Sequence, residues 1–303
     1  MPRSLFPSHR AVSALLVAWI GVFSSAATAQ GPGGATHAKP GLISEFKTLT
    51  PGETAWLGIT FDIDPEWHIY WDGQGDTGQP VKAVFTVPAG FEVGELVWLA
   101  PKRYVVADFA LDYVYEGRVT LLAPLKVPEE AKPGEKVTIA AKLDWMECSE
   151  ECRPGRATVS LEIPVAATGE EREKTPDATR FEDSRRLLPR SVEETAKIVQ
   201  TSWKGSTLSI VVPGASRLSF FPHRTSAPLV NAMEQGESAS DRLTLDIDGV
   251  AADSDRRVVG ILEVTRSAAK GKPRVEYFQV DIPHGVGSDA RPTNQNRTHE
   301  PLK

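Results

Sequence analysis

The sequence predicts an all-β protein, an antiparallel β-sandwich followed by a second, smaller β-rich domain. Three observations predict it. Short segments alternate apolar and polar residues with a period of two, as half-buried strands do. Proline and glycine turns such as TPGE, VPAG and AKPGE separate these segments, and no long helical pattern lies between them. Several short strands with regular turns are typical of a sandwich of immunoglobulin type.

The first predicted domain, the sandwich, covers residues 41–166. Its clearest strand is KVTIAAKLDW, in which every second residue over 137–145 is apolar or small. The segment ATVSLEIPV alternates in the same way over 157–165. Two earlier segments, 55–63 and 119–127, repeat the pattern. Each is predicted to be a strand with one face in the core.

The composition changes after this domain. Residues 167–190 are charged and poor in branched side chains, which predicts a linker with about one helical turn. A second β-rich domain is predicted over 191–285, and residues 286–303 are polar and predicted to be a disordered tail. The candidate strands of the second domain are TLSIVV, RLTLDI, RVVGILEV and VEYFQVDI.

The N-terminus has the order of a secretory signal. Arg3 and Arg10 precede and flank an apolar run over 11–23, and small residues end at Ala29. We expect residues 1–29 to be a signal peptide cleaved after Ala29, and residues 30–40 to be a flexible leader. No later segment has the roughly 18 apolar residues of a membrane helix, so the mature chain is predicted to be exported without a membrane span.

Composition and motifs argue against several function classes. The formal net charge is −6, and no basic stretch is interleaved with aromatics, which argues against nucleic acid as a partner. Gly73, Gly75 and Gly78 fit G-x-G-x-x-G, but Pro80 and a strand-like segment follow instead of a helix. They are predicted to form a turn cluster, not a nucleotide site. No Ser/His/Asp order stands out, and no cofactor is predicted.

The two cysteines, Cys148 and Cys152, lie in DWMECSEECRPG between the two longest alternating segments. We expect both in a hairpin connection over 146–156 or at its rim. In an oxidising compartment a lone pair forms a disulfide unless something delivers electrons to it. So small a ring stabilises by about 2 kcal/mol, and a bridge beside an exposed turn is accessible to a partner thiolate. The residues alone leave a redox-active dithiol and a structural disulfide equally open.

Nearby charges affect how readily a cysteine of this pair forms a thiolate. Glu147, Glu150 and Glu151 are expected to disfavour a thiolate, which Arg153 and Arg156 offset only in part. The pair is therefore predicted to be a poor oxidant. A closed zinc site needs four ligands, and the histidines show no spacing that pairs with the cysteines, so no metal site is predicted.

Three segments carry a family resemblance when taken in order: WHIYWDGQGDTGQP, YEGRVTLLAPLKVP and LDWMECSEECRPG. They resemble the N-terminal periplasmic domain of the thiol:disulfide interchange protein DsbD, in its ScsB-like branch. In that branch a second β-domain contains an FFP segment, which residues 220–222 match here. The likeness covers most of residues 40–285.

The resemblance implies an immunoglobulin-like domain that receives electrons from a membrane relay and reduces periplasmic partners, as a protein-disulfide reductase module. Cys152 matches the attacking thiol, and Cys148 the thiol that resolves the mixed disulfide. Some members shield the pair with an aromatic cap loop. The segment ADFALDY lies at a similar place, which makes Phe109 the cap candidate, with a buried core phenylalanine as the alternative.

The sequence departs from the family pattern in two ways. Full-length relatives continue into a membrane conduit and often a thioredoxin domain, whereas this sequence has no such spans and no C-x-x-C. The implied partners are therefore periplasmic thiol/disulfide proteins and a separate membrane electron donor. The alternative is a non-catalytic periplasmic interaction or scaffold protein with a structural disulfide.

Overall fold

The computed structural model describes residues 36–107, 109–167, 169–249 and 256–285. The predicted signal peptide, residues 30–35 of the predicted leader and the predicted tail lie outside the described residues. Within the described ranges the chain forms 17 strands and three short helices. The predicted all-β class is confirmed.

The first unit consists of ten strands in two antiparallel sheets. In chain order they are β1 (Ala38–Ser44), β2 (Thr54–Ile63), β3 (His68–Tyr70), β4 (Lys82–Thr86), β5 (Glu92–Val93), β6 (Lys102–Val106), β7 (Ala110–Glu116), β8 (Arg118–Lys126), β9 (Lys136–Cys148) and β10 (Cys152–Pro164). One sheet has the order β1-β2-β8-β5, and the other the order β10-β9-β3-β7-β6, with β4 also paired to β9. These sheets form the predicted immunoglobulin-like sandwich.

Apolar residues on alternate positions fill the space between the two sheets. Every second residue of β9 from 137 to 145 is buried, as predicted, and so are the corresponding residues of β2 and β8 apart from the half-buried Ala55. Phe61 from β2 meets Trp145 from β9 edge to face, with ring centroids 5.2 Å apart. The alternation therefore predicted both the strands and the side of each that faces the core.

The segment between the two units is more ordered than a linker. Residues 178–186 form the helix α1 (Ala178–Arg186), which is nine residues long instead of the single turn expected. Phe181 on this helix is fully buried, and Ser184 Oγ donates a hydrogen bond to the carbonyl of Thr120 on β8. The helix therefore packs against the first sandwich. At the other end, the predicted leader extends too far, because β1 begins at the buried Ala38.

The second unit is smaller and also contains two sheets. Its elements are α2 (Val192–Thr195), β11 (Gln200–Lys204), β12 (Thr207–Val211), β13 (Arg217–Pro222), α3 (Ala232–Gln235), β14 (Glu237–Ser238), β15 (Arg242–Asp246), β16 (Arg257–Arg266) and β17 (Arg274–Pro283). The sheets have the orders β11-β12-β15 and β14-β13-β16-β17. The four candidate strands correspond to β12, β15, β16 and β17, whereas β11, β13 and β14 were not predicted.

The G-x-G-x-x-G loop, residues 73–78, lies at the seam between the units. The backbone N–H of Gln74 donates to the carbonyl of Pro222 at 3.0 Å. Beside it, the ring of Phe221 packs edge to face on Tyr113 of the first unit, with centroids 5.8 Å apart. The glycine cluster thus serves as a turn that contacts the second unit, and a strand follows it, as its sequence context indicated.

Candidate functional site

The two cysteines are joined at the base of a hairpin turn. Cys148 is the last residue of β9 and Cys152 the first of β10, and the two are directly opposed in the antiparallel register. Their sulfurs are bonded, and the α-carbons lie 4.1 Å apart. Only residues 149–151 form the turn, in which the N–H of Ser149 donates to the carbonyl of Glu151. The expected connection over 146–156 is wrong, because both strands continue to the cysteines.

The two sulfur-bearing residues differ strongly in exposure. Cys148 is 1% exposed and packs in a cluster with Tyr70 and Val114, which Tyr104 joins from β6. Cys152 is exposed. A thiolate or disulfide of another protein therefore meets Cys152 first, and Cys148 lies behind it.

Residues 154 and 155 belong to strand β10 and do not form the turn. Pro154 is opposed to Met146 and Gly155 to Trp145. The indole of Trp145 lies across the backbone of Gly155, so a Cβ atom built at this position would be 2.1 Å from the indole Cε2. Glycine is required here because the tryptophan ring occupies the space of a side chain.

Gly155→Ala is expected to lower the free energy of unfolding by about 2 kcal/mol, because the added methyl group would overlap a buried ring. Urea denaturation of the oxidised protein measures this. The matched control is Ser160→Ala at an exposed position of the same strand, where a change within about 0.5 kcal/mol is expected. Equal midpoints for the two variants would contradict the packing argument.

Glu147 adjoins Cys148 in sequence, but its carboxylate lies on the other face of β9. The residue is 2% exposed. Its carboxylate accepts hydrogen bonds from the N–H groups of His37 at 3.0 Å and Ala38 at 2.9 Å, and from Trp145 Nε1 at 3.1 Å. Neighbouring residues of a strand point to opposite faces. The expectation that Glu147 acts on a nearby thiolate is therefore wrong; it anchors the start of β1.

The other charges around the turn are exposed and mixed in sign. The guanidinium of Arg153 lies 3.3 Å from the carboxylate of Glu151 and 5.6 Å from the ring centre of Trp67. Arg156 pairs with Asp144 at 2.9 Å, across the hairpin. Arg153 is the cation nearest in sequence to Cys152, and both arginines are paired with a carboxylate.

A short hydrogen-bond chain connects the sulfur of the exposed residue Cys152 to buried groups. The hydroxyl of Tyr70 lies 3.7 Å from Cys152 Sγ, 3.4 Å from Thr77 Oγ1 and 3.3 Å from His68 Nε2. Burial lowers the pKa of His68 and raises the pKa of Tyr70. Sequence reasoning did not place His68 and Tyr70 beside the cysteines. Their two-residue spacing, which places both on one face of a strand, was the available signal.

Phe109 lies in the tight turn between β6 and β7. Its side chain is 75% exposed, so the alternative of a buried core phenylalanine is wrong. Ala107, two residues before it, has a φ of 46°, in the left-handed region that favours glycine. The aromatic rings that pack beside Cys148 are those of Tyr70 and Tyr104. The assignment of Phe109 as a cap stays a prediction.

The described residues also show where the chain stands with respect to metal binding and membrane insertion. Within those ranges, no group of three or more His, Cys, Asp or Glu residues is placed to hold a metal ion. Among the helices of the same ranges, none is long and apolar enough to cross a membrane.

The match to one family and the match to one solved structure agree with this architecture. Residues 39–164 match the family described as thiol:disulfide interchange protein DsbD, N-terminal. The crystal structure of the N-terminal periplasmic domain of ScsB from Proteus mirabilis matches with a TM-score of 0.53 and 15% identity, over 83% of this chain and 95% of that chain. The periplasmic chaperone SfaE matches with a TM-score of 0.23 and 8% identity, over 79% of this chain and 98% of that chain. No curated protein sequence matches this chain. The resemblance inferred from the sequence motifs is confirmed.

Proposed function

We propose that this chain, whose residues 39–164 match the family of DsbD N-terminal domains, is a periplasmic thiol–disulfide exchange module. It passes electrons through Cys148 and Cys152 to oxidised partner proteins. The observation that carries this proposal is the unequal exposure of the bonded pair. Cys152 is exposed at the start of β10, and Cys148 is buried beside it.

This arrangement suits a two-step exchange. In the reduced module the Cys152 thiolate attacks one sulfur of a partner disulfide, and the partner's other sulfur leaves as a thiolate that takes up a proton. The Cys148 thiolate then attacks the Cys152 sulfur in the mixed disulfide. The bond between Cys148 and Cys152 re-forms, and the second partner sulfur leaves as a thiolate and is protonated. The module loses two electrons, and the partner gains two thiols.

Repeated turnover requires a donor that reduces the module again. We assign this role to a separate membrane protein with a reactive dithiol, which would attack the exposed Cys152 and expel the Cys148 thiolate. Phe109 is proposed as a movable cap, because its apolar ring is exposed at the end of a hairpin in the same sheet as Cys148. Export with cleavage near Ala29 would place the module in the periplasm, where the ScsB domain of similar fold is found.

One observation favours the alternative of a scaffold protein. The bridge joins the ends of two 13-residue strands that are paired along their whole length. In the scaffold alternative, this disulfide serves only to hold the hairpin closed.

The reduction potential separates the two functions. Equilibration of the chain with defined ratios of reduced and oxidised glutathione, followed by trapping of free thiols, measures it. We expect a value above about −300 mV, where exchange with periplasmic partners operates. A potential well below about −300 mV, typical of structural bridges, would support the scaffold and reject the exchange module.

A further inference from the structure

Four side chains form a row across the sheet on the face that carries the disulfide. Cys152 is opposed to Cys148, Cys148 to His68, and His68 to Glu116, on the successive strands β10, β9, β3 and β7. Directly opposed residues point to the same face, with Cβ atoms about 4.5–5.5 Å apart. The imidazole of His68 is therefore the neighbour of the disulfide on the next strand toward the middle of the sheet.

A hydroxyl group bridges the imidazole and the sulfur of Cys152. His68 Nε2 lies 3.3 Å from the oxygen of Tyr70, and that oxygen lies 3.7 Å from Cys152 Sγ. Both distances are within hydrogen-bond reach for the atoms involved, since sulfur is larger than oxygen or nitrogen. A proton can thus move between Cys152 and His68 in two short transfers through one hydroxyl.

We propose that His68 stores the proton of the Cys152 thiol and that the hydroxyl of Tyr70 relays it. The inference rests on the proposed exchange function and deepens it. As the Cys152 S–H bond breaks, its proton goes to the Tyr70 oxygen, and the Tyr70 proton goes to His68 Nε2. The products are a thiolate and an imidazolium, with no net gain or loss of protons. The transfers run in reverse when Cys152 is protonated again.

The groups around His68 suit this role. Burial lowers the pKa of His68, so the ring is neutral and able to accept a proton near neutral pH. The carboxylates of Asp112 and Glu116 favour the imidazolium once it has formed. Burial raises the pKa of Tyr70, so the phenol keeps a proton to relay. The titratable or charged groups that face the ring are Tyr70 on β3, Tyr104 on β6, Asp112 and Glu116 on β7, and Cys148 on β9, with Lys102 of β6 paired to Glu116.

The relay would offset an electrostatic repulsion at this site. The thiolate is the attacking species in exchange, and the turn places the exposed carboxylates of Glu150 and Glu151 near it in sequence. These charges disfavour an anion on Cys152. An imidazolium formed on His68 by the same proton transfer would oppose them from within the sheet.

Alkylation of a single thiol tests the proposal. The Cys148→Ser background leaves Cys152 as the sole cysteine, and its rate constant with iodoacetamide is measured from pH 5 to pH 10. His68→Phe and Tyr70→Phe in this background are each expected to lower the rate at pH 7 by about tenfold, which corresponds to a rise of about one unit in the thiol pKa. The rates are expected to converge at pH 10, where hydroxide removes the proton.

Tyr104→Phe provides the matched control. The Tyr104 ring lies 4.5 Å from the His68 ring, centroid to centroid, but its hydroxyl is not part of the relay. Its profile is expected to follow the parent. If the rate-against-pH profiles of all variants superimposed, the proposal would be overturned. A decrease in rate that is equally large at pH 10 would also overturn it, because such a decrease indicates altered access to the sulfur. If His68→Phe does not fold, the alkylation profile of Tyr70→Phe alone tests the proposal. Alkylation needs no partner protein. The proton relay is therefore tested separately from disulfide exchange, even if exchange with partner proteins fails.

Discussion

Replacement of Cys152 by alanine is expected to abolish disulfide exchange, whereas replacement of Cys148 by alanine is expected to trap the first step. Cys152 is the exposed member of the pair, so without it the remaining thiol is buried at 1% exposure. In the Cys148→Ala variant the thiolate of Cys152 can still attack, but no second thiol can resolve the mixed disulfide. Incubation with oxidised glutathione followed by mass spectrometry measures the adduct.

The expected pattern is a stoichiometric glutathione adduct on Cys148→Ala and only background modification of Cys152→Ala. The double variant controls for stability, since removal of so small a ring costs about 2 kcal/mol, and the extensive pairing of β9 with β10 remains. Equal adduct formation on both single variants would show that exposure does not determine which of the two thiols attacks first. Loss of the fold in the double variant would identify the bridge as a structural staple.

The parts of the fold that could be predicted share one property, a strand with one face in the core. In β9 and β10 the period of two was visible because one side of each strand is polar. Two of the strands that were not predicted, β7 and β13, are buried on both faces. Six of the seven residues of β7 are buried, and β13 contributes Phe220 to the second core and Phe221 to the first. Without a polar face, such strands give no alternation to detect.

The candidate site could be predicted only in part, for a related reason. Chain order placed Cys148 and Cys152 together, because they lie between two strands that pair as a hairpin. The neighbours that matter chemically come from far along the chain. His68 is opposed to Cys148 through the pairing of β3 with β9, a register set by the packing of the whole sheet. Local sequence carries no information about that pairing.

Glu147 shows how adjacency in sequence misleads within a strand. Its carboxylate, next to Cys148 in the chain, is bound by three N–H donors on the opposite face of the sheet. We therefore expect Glu147→Gln to lower the free energy of unfolding by about 3 kcal/mol. The amide presents an NH₂ group where the carboxylate had an acceptor oxygen, so at least one buried donor loses its partner.

Urea denaturation of the oxidised protein measures this loss, and the alkylation rate of Cys152 is recorded separately in the Cys148→Ser background. Glu150→Gln is the matched control, because this substitution removes the same charge at an exposed position in the turn. Its unfolding free energy is expected to change by less than about 0.5 kcal/mol. If Glu147→Gln left the stability unchanged and altered the alkylation rate of Cys152, the carboxylate would act on the sulfur after all. The outcome expected instead, a large loss of stability with unchanged thiol reactivity, follows from the alternation of side chains along β9, which directs residues 147 and 148 to opposite faces.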